Sequence, residues 1–268
     1  MGKRPAQLRK RDFKREQRPT EWLICCEGKS EVIYLNDLVE KLSQLSGKSA
    51  EGIHIGLANA ECSRRGFQGA CGRQHLELLQ RVQTCASKFF ERRWILFDCD
   101  ADGQPNIDQL YKNFGNTILL SSDTGVEAAW SIQSFEYWLL SHKSYQESGS
   151  KDKIEKNLSI TIAETVKQKP ICNKKYQNKS GENHCKKETP FVCADKATKK
   201  PYYNSLICLG GIASVKTACN NSKRCYTRYQ SDIISRRYRA ISCCSNVHEL
   251  IDALAEYFGY KTIMDVPD

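Results

Sequence analysis

The chain has 268 residues, a formal net charge of +10 and a mean hydropathy of −0.57. That length holds one large or two modest domains with a buried core. No apolar run reaches the roughly 18–20 residues that cross a bilayer, and the opening MGKRPAQLRKRDFKREQRPT lacks the apolar region of a secretory signal, so a soluble cytoplasmic protein with no membrane partner is expected.

The basic excess favours an anionic partner, nucleic acid foremost. Arg9, Lys10, Arg11, Lys14 and Arg15 crowd an N-terminal arm, 1–19. Such an arm is either a solvated tail or a set of phosphate contacts. A second basic region runs from Lys167 to Arg239 and includes Arg236 and Arg237.

After the arm, strands and helices alternate. Glu21–Cys26 reads as a short strand. Ser30–Ser43 reads as a helix with Val32, Leu35, Val39 and Leu42 along one stripe, stopped by Gly47. Gly52–Leu57 is a strand, and a loop rich in Gly, Cys and Arg follows. His75–Phe90 is a helix with Leu79, Val82, Ala86 and Phe89 on one face. Arg93–Phe97 is the strongest strand and ends at Asp98-Cys99-Asp100. The pattern then predicts a short helix over Ile107–Phe114, a strand over Thr117–Leu120, and a further short strand near 125–132. Ser134 reads as the N-cap of a helix over Phe135–His142. Ser144–Lys156 reads as a linker, and 165–205 carries no assignable pattern. The last helix starts at Asn246 and Glu249 in capping-box style, carries the stripe Val247, Leu250, Ile251, Leu254 and Phe258, and ends at Gly259. Repeated strand–helix–strand units predict an α/β fold, a Rossmann-like, mostly parallel sheet with helices on both faces, plus a smaller, mainly helical C-terminal region. The expected division is the arm 1–19, a domain over 20–143 and a basic, Cys-rich region over 144–268.

Ligands of such sheets gather at the carboxyl ends of the strands. Glu27 and the Asp98/Asp100 pair both stand there. The stretch CCEGKSE also resembles the tail of a P-loop, but that motif needs a glycine where Leu23 stands. The acidic reading is therefore preferred: Glu27 carries the chemistry, and Gly28 serves the turn that presents it. Asp98 and Asp100, two apart on a strand, point the same way. Carboxylates held together repel, and a hard cation such as Mg²⁺ or Mn²⁺ relieves that repulsion. Glu31, one helical turn on, faces the same site. Lys29 stands where it can steady a phosphate. The bland alternative is an Asp-x-Asp that only caps a loop.

Fourteen cysteines in a cytoplasmic chain argue for reduced thiols. The chain contains no CxxC. Cys172, His184, Cys185 and Cys193 are a possible zinc set, with buried thiols acting as small apolar residues as the alternative.

A strand ending in Glu-Gly followed by a strand ending in Asp-x-Asp resembles a Toprim domain, the metal-binding fold of topoisomerases, bacterial primases and several nucleases. More narrowly, the basic arm, ICCEGKSEVIYL, WILFDCDADG, AWSIQSFEYWLLSH and NVHELIDAL resemble, in order, the RloB-like family, which is encoded near restriction–modification and other defence loci. The resemblance implies Glu27 as the Toprim glutamate, Asp98 and Asp100 as metal-binding aspartates, and Glu136 as a completing carboxylate. On position alone Glu136 is a carboxylate in a helix's first turn, where the dipole favours it. His142, in the same block, either orients a ligand or packs at a helix end. The family has Asn-Pro where this chain has Gln133-Ser134, which bears on how the turn presents Glu136. The Cys-rich stretch 172–225 is a second departure.

These readings converge on a Mg²⁺-dependent nuclease, with an activating or inhibiting defence partner implied by the toxicity of such an activity. Tyr176, Tyr202, Tyr203, Tyr226, Tyr229 and Tyr238 interleave with basic residues and tilt the substrate toward structured RNA such as tRNA rather than DNA. The rivals are a non-catalytic nucleic-acid-binding or sensor subunit and, last, topoisomerase-type chemistry, for which no nucleophilic tyrosine stands in a recognisable context.

Overall fold

The computed structural model describes residues 21–57, 74–86, 90–100, 106–150, 153–154, 157–158 and 200–268. The arm residues Arg9, Lys10, Arg11, Lys14 and Arg15, and the zinc candidates Cys172, His184, Cys185 and Cys193, lie outside them.

Strands β1 (Trp22–Cys26), β2 (Ile53–Leu57), β3 (Arg92–Cys99) and β4 (Glu127–Ile132) run parallel in the order β2-β1-β3-β4. Helix α1 (Lys29–Ser46) connects β1 to β2, α2 (Gln74–Ala86) precedes β3, and α3 (Ile107–Asp123) connects β3 to β4. A right-handed crossover moving one way along the sheet puts its helix on one face, and a crossover moving back puts its helix on the other. The chain steps outward from β1 to β2, then back across β1 to β3. Accordingly α2 and α3 pack on each other, while α1 packs against a different partner, α5 (Lys200–Arg228). β1 and β3 are fully paired in register, Trp22 opposite Arg92 through Cys26 opposite Leu96. Their side chains are buried throughout β1 and over most of β3, the near-continuous apolar pattern of a strand covered on both sides.

The expected Thr117–Leu120 strand does not exist. Those residues continue α3, which runs unbroken to Asp123. The buried positions Leu110, Phe114, Thr117 and Ser121 recur every three or four residues, so one helical stripe extends through the segment. Thr117 Oγ1 donates back to Asn113 O at 2.9 Å, the helical arrangement open to a β-branched hydroxyl. Leu119 and Leu120 are exposed. The described part of α2 runs to Ala86; Phe90, where the helix was expected to end, is not helical, and its ring meets His54 of β2 edge-on at 5.4 Å.

Helix α4 (Phe135–Ser141) follows β4 and is buried along its whole length. α5 is broken at Gly211, whose φ of 52° and ψ of −152° interrupt the helical geometry. Beyond it come α6 (Gln230–Ile234), a single turn at Tyr238–Ala240, the short strand β5 (Cys244–Ser245) and α7 (Val247–Tyr257). β5 pairs antiparallel with β4 and closes that edge of the sheet. Asn246 extends the pairing with its side chain. Its Oδ1 accepts the Trp130 N–H at 2.6 Å and its Nδ2 donates to Ala128 O at 2.9 Å, while its own N–H donates to Trp130 O at 3.1 Å. The expected capping box is therefore not formed: the Asn246 carboxamide serves the sheet and donates to Glu249 Oε2 at 3.1 Å, and it is Ser245 Oγ that accepts the Val247 N–H, at 3.1 Å. Cys25, Cys26, Cys99, Cys219, Cys225, Cys243 and Cys244 are buried thiols, small apolar members of the core. Among the described residues no helix is long and apolar enough to cross a membrane.

Candidate functional site

The strand order reverses between β1 and β3, since the chain leaves β1 toward one edge and returns past it. That reversal opens a crevice beyond the carboxyl ends of the two strands. Glu27 emerges there, one residue past β1, with its N–H still donating to Leu96 O at 2.9 Å. Asp98 stands opposite, in the last turn of pleat of β3. The Asp98 N–H donates to Glu27 Oε2 at 3.1 Å, so a carboxylate from one strand is held by the backbone of the other.

Asp98 is the centre of the group. Its Oδ2 accepts the Phe135 N–H at 2.9 Å, and its Oδ1 is sealed from solvent without a hydrogen-bond partner. Burial, and then the charges of Glu31, Glu27 and Glu136, push its carboxyl well above the ordinary carboxylate range, against the pull of the Phe135 N–H. Four carboxylates from β1, α1, β3 and α4 thus share one electrostatic environment. Glu31 and Glu136 are 4% and 8% exposed, too buried for ordinary surface charges. Asp100 lies one residue beyond β3, partly buried, and its charge bears on the Cys99 thiol, which burial holds above its usual range. Among the described residues no three His, Cys, Asp or Glu side chains stand close enough together to hold a metal ion.

Gly28 has a different role from the expected one. Its φ of −121° and ψ of 163° are extended backbone that any residue adopts. What it supplies is space: a Cβ there would lie 2.5 Å from Glu31 Oε2. The Glu31 carboxylate folds back over the glycine, and this brings it to Asp98. Lys29 opens α1; its side chain is outside the described atoms.

Gln133 adopts φ 85°, an uncommon conformation for a residue with a side chain. Its N–H donates to Cys99 O at 3.1 Å and its Nε2 to Ser242 O at 2.9 Å. This turn aims the start of α4 at Asp98. Asparagine enters the left-handed region more readily than the glutamine found here.

His75 is absent from the sequence-based site, yet its Nε2 lies 2.7 Å from Asp98 O and 3.7 Å from Glu27 Oε2. The available signal was its spacing: His75 stands four residues before Leu79 and seven before Val82, on the buried stripe of α2. Burial lowers its pKa, against Glu27 and the Asp98 carbonyl.

His142 is a packed helix-end histidine. Its Nε2 is 3.0 Å from Tyr34 Oη and its Nδ1 3.0 Å from Ser214 Oγ, in the core between α1, α4 and α5. Arg236 and Arg237 are exposed on the turn after α6, and Arg237 pairs with Asp232 at 2.8 Å. The tyrosine reading needs correction. Tyr238 is 4% exposed, packed edge-on against Phe114 at 5.1 Å and close over Gly115, so it is no stacking platform. Tyr226 is partly buried against Trp130 and His248. Aromatic rings do meet exposed cations elsewhere: Arg224 lies 4.1 Å from the Tyr145 ring centre and Arg228 5.6 Å from that of Tyr229.

No curated protein and no solved structure matches the chain. The family model described as RloB-like protein matches residues 22–254, a span that takes in the acidic crevice, both of its strands and most of α7. The chain belongs to the RloB-like family.

Proposed function

We propose that this protein is a metal-dependent nuclease of Toprim type that hydrolyses nucleic-acid phosphodiesters. The observation that carries the reading is Asp98: a carboxylate at the β1/β3 switch point, with one oxygen sealed and unpartnered, surrounded by Glu27, Glu31 and Glu136. Two carboxylates at facing strand ends, with water completing the shell, suit a hard divalent cation, which like a bound proton offsets buried negative charge. Glu27 and Asp98 would hold Mg²⁺ or Mn²⁺, with Asp100, Glu31 and Glu136 supporting. A bound divalent cation supplies charge neutralisation at a phosphodiester and an activated water. Glu27, partly exposed, is placed to accept a proton at the mouth of the crevice.

The net charge of +10 suits a polyanionic substrate. Structured RNA such as tRNA is the favoured substrate, because the Arg224–Tyr145 and Arg228–Tyr229 pairs place rings and cations together where unpaired bases can stack. A role in anti-phage defence, with a partner controlling the activity, is in keeping with the family resemblance. A second reading is a nucleic-acid-binding or sensor subunit without turnover, for which the exposed Arg224 and Arg228 beside their rings serve binding by themselves.

The test is cleavage of total tRNA and of phage DNA, with Mg²⁺ or with EDTA, by wild type and Asp98→Ala. Metal-dependent products that vanish in the variant establish the nuclease and choose its substrate. Salt-sensitive binding without cut ends, unchanged when infected-cell lysate is added, supports the sensor instead.

A further inference from the structure

The His75 ring bridges the two acidic strand ends. The Asp98 carbonyl has no proton to give, so at 2.7 Å the His75 Nε2 must carry the hydrogen. The neutral ring then leaves Nδ1 as an acceptor, and that atom is buried without a hydrogen-bond partner. The peptide groups of Asp98 are therefore fastened on both sides, its N–H to Glu27 Oε2 and its C=O to His75. The same Nε2–H lies 3.7 Å from Glu27 Oε2, beyond hydrogen-bond length but close enough to limit how that carboxylate turns. The ring is fixed in turn: Phe97 lies 4.9 Å and Phe114 6.0 Å from it, centre to centre, and the side chain is 5% exposed.

We propose that His75 is a positioning residue of the acidic site, whose Nε2–H holds the Asp98 backbone and keeps the Glu27 carboxylate turned toward Asp98, so that carboxylates from two different strands meet a divalent cation in one fixed geometry. The inference rests on the metal-binding reading of the crevice. It goes beyond that reading by assigning the orienting group to α2, an element that contributes no carboxylate to the cluster around Asp98. Groups that orient metal-binding side chains commonly change affinity without touching the ion.

The test is Mn²⁺ binding to the full chain, read from the electron paramagnetic resonance of unbound Mn²⁺, in wild type, Asp98→Ala, His75→Phe and His75→Gln. Phenylalanine keeps the packing on Phe97 and Phe114 but has no N–H, whereas glutamine offers an Nε2 donor. We expect His75→Phe to bind roughly 10–100-fold more weakly than wild type and His75→Gln to recover most of that loss. A histidine that only fills the core would shift the melting temperature and leave Mn²⁺ affinity as in wild type; that result, with binding lost in Asp98→Ala, overturns the proposal and keeps the site. No Mn²⁺ binding by wild type overturns both. If His75→Phe does not fold, the ring ¹⁵N spectrum of wild type decides, since an Nδ1–H tautomer is incompatible with the donor role.

Discussion

The backbone N–H of Phe135 donates to Asp98 Oδ2 at 2.9 Å, and this bond ties the start of α4 to the end of β3. An amide of the same shape reproduces the acceptor without the charge. Asp98→Asn is therefore expected to keep the bond while removing one of four interacting carboxylates. In metal-free buffer at pH 8 it should stabilise the fold by about 1–2 kcal/mol, and it should abolish cleavage. The gain should shrink toward acid pH. The native carboxyl is raised above its unfolded value, so its contribution to stability is fully present below the unfolded pKa and is lost as pH rises through the folded one. Calorimetry of wild type and variant in EDTA at two pH values checks this; a variant less stable than wild type at pH 8 would falsify the placement of the charge.

Asn246 replaces strand residues with a side chain. Asn246→Ala leaves the Trp130 N–H and the Ala128 carbonyl without their partners, a loss of roughly 2–4 kcal/mol. Chemical denaturation gives the energy, and hydrogen exchange at the Trp130 amide gives the location. Unchanged exchange there would show that β5, rather than the carboxamide, protects the strand.

Gln133 should respond to shape rather than polarity. Gln133→Gly relieves the positive φ and gives up the bond to Ser242 O, two effects of about 1 kcal/mol that offset each other. Gln133→Val has no such relief and is expected to cost about 1–3 kcal/mol. Melting curves of the two variants, compared side by side, test the order; a valine variant as stable as the glycine one contradicts it.

Acid should unfold the protein through two core histidines. Burial, with Lys143 adding to it, lowers the His142 pKa to about 3. Burial, with Lys223 lowering and Asp252 raising, takes His248 to about 4. His142 otherwise faces the hydroxyls of Tyr34 and Ser214, and His248 that of Ser222. Both rings are neutral in the fold while the unfolded chain binds protons below its ordinary value of about 6.5. Their stabilisation is thus complete above that pH and is lost as pH falls toward 4 and 3, at up to about 1.4 kcal/mol per pH unit for each ring. Denaturant midpoints for wild type and His142→Gln between pH 7 and 4 test the slope, which should be shallower in the variant; equal slopes would remove His142 from the account.

Much of this architecture was legible along the chain. β1 and the middle of β3 are unbroken apolar runs, α1 and α7 carry their stripes at helical spacing, and Gly47 stops α1 with φ 70°. Burial on both faces or on one stripe leaves that mark locally, because each residue's environment repeats with the element's own period. The strand ends bearing Glu27 and Asp98 were equally visible, since the carboxylates stand where the apolar runs stop. Thr117–Leu120 was misread because a short β-branched and apolar run suits either element, and its neighbours at Leu110, Phe114 and Ser121 decide. Tertiary structure alone brought His75 to Asp98 across 23 positions and Asn246 to Trp130 across 116. Sidedness and strand order determine which distant groups meet, and neither has a period in the sequence. The same holds for charge: a carboxylate beside Gly28 or Phe135 looks ordinary until the crossover closes and four of them act on one another around the buried Asp98, where repulsion is less screened than in water.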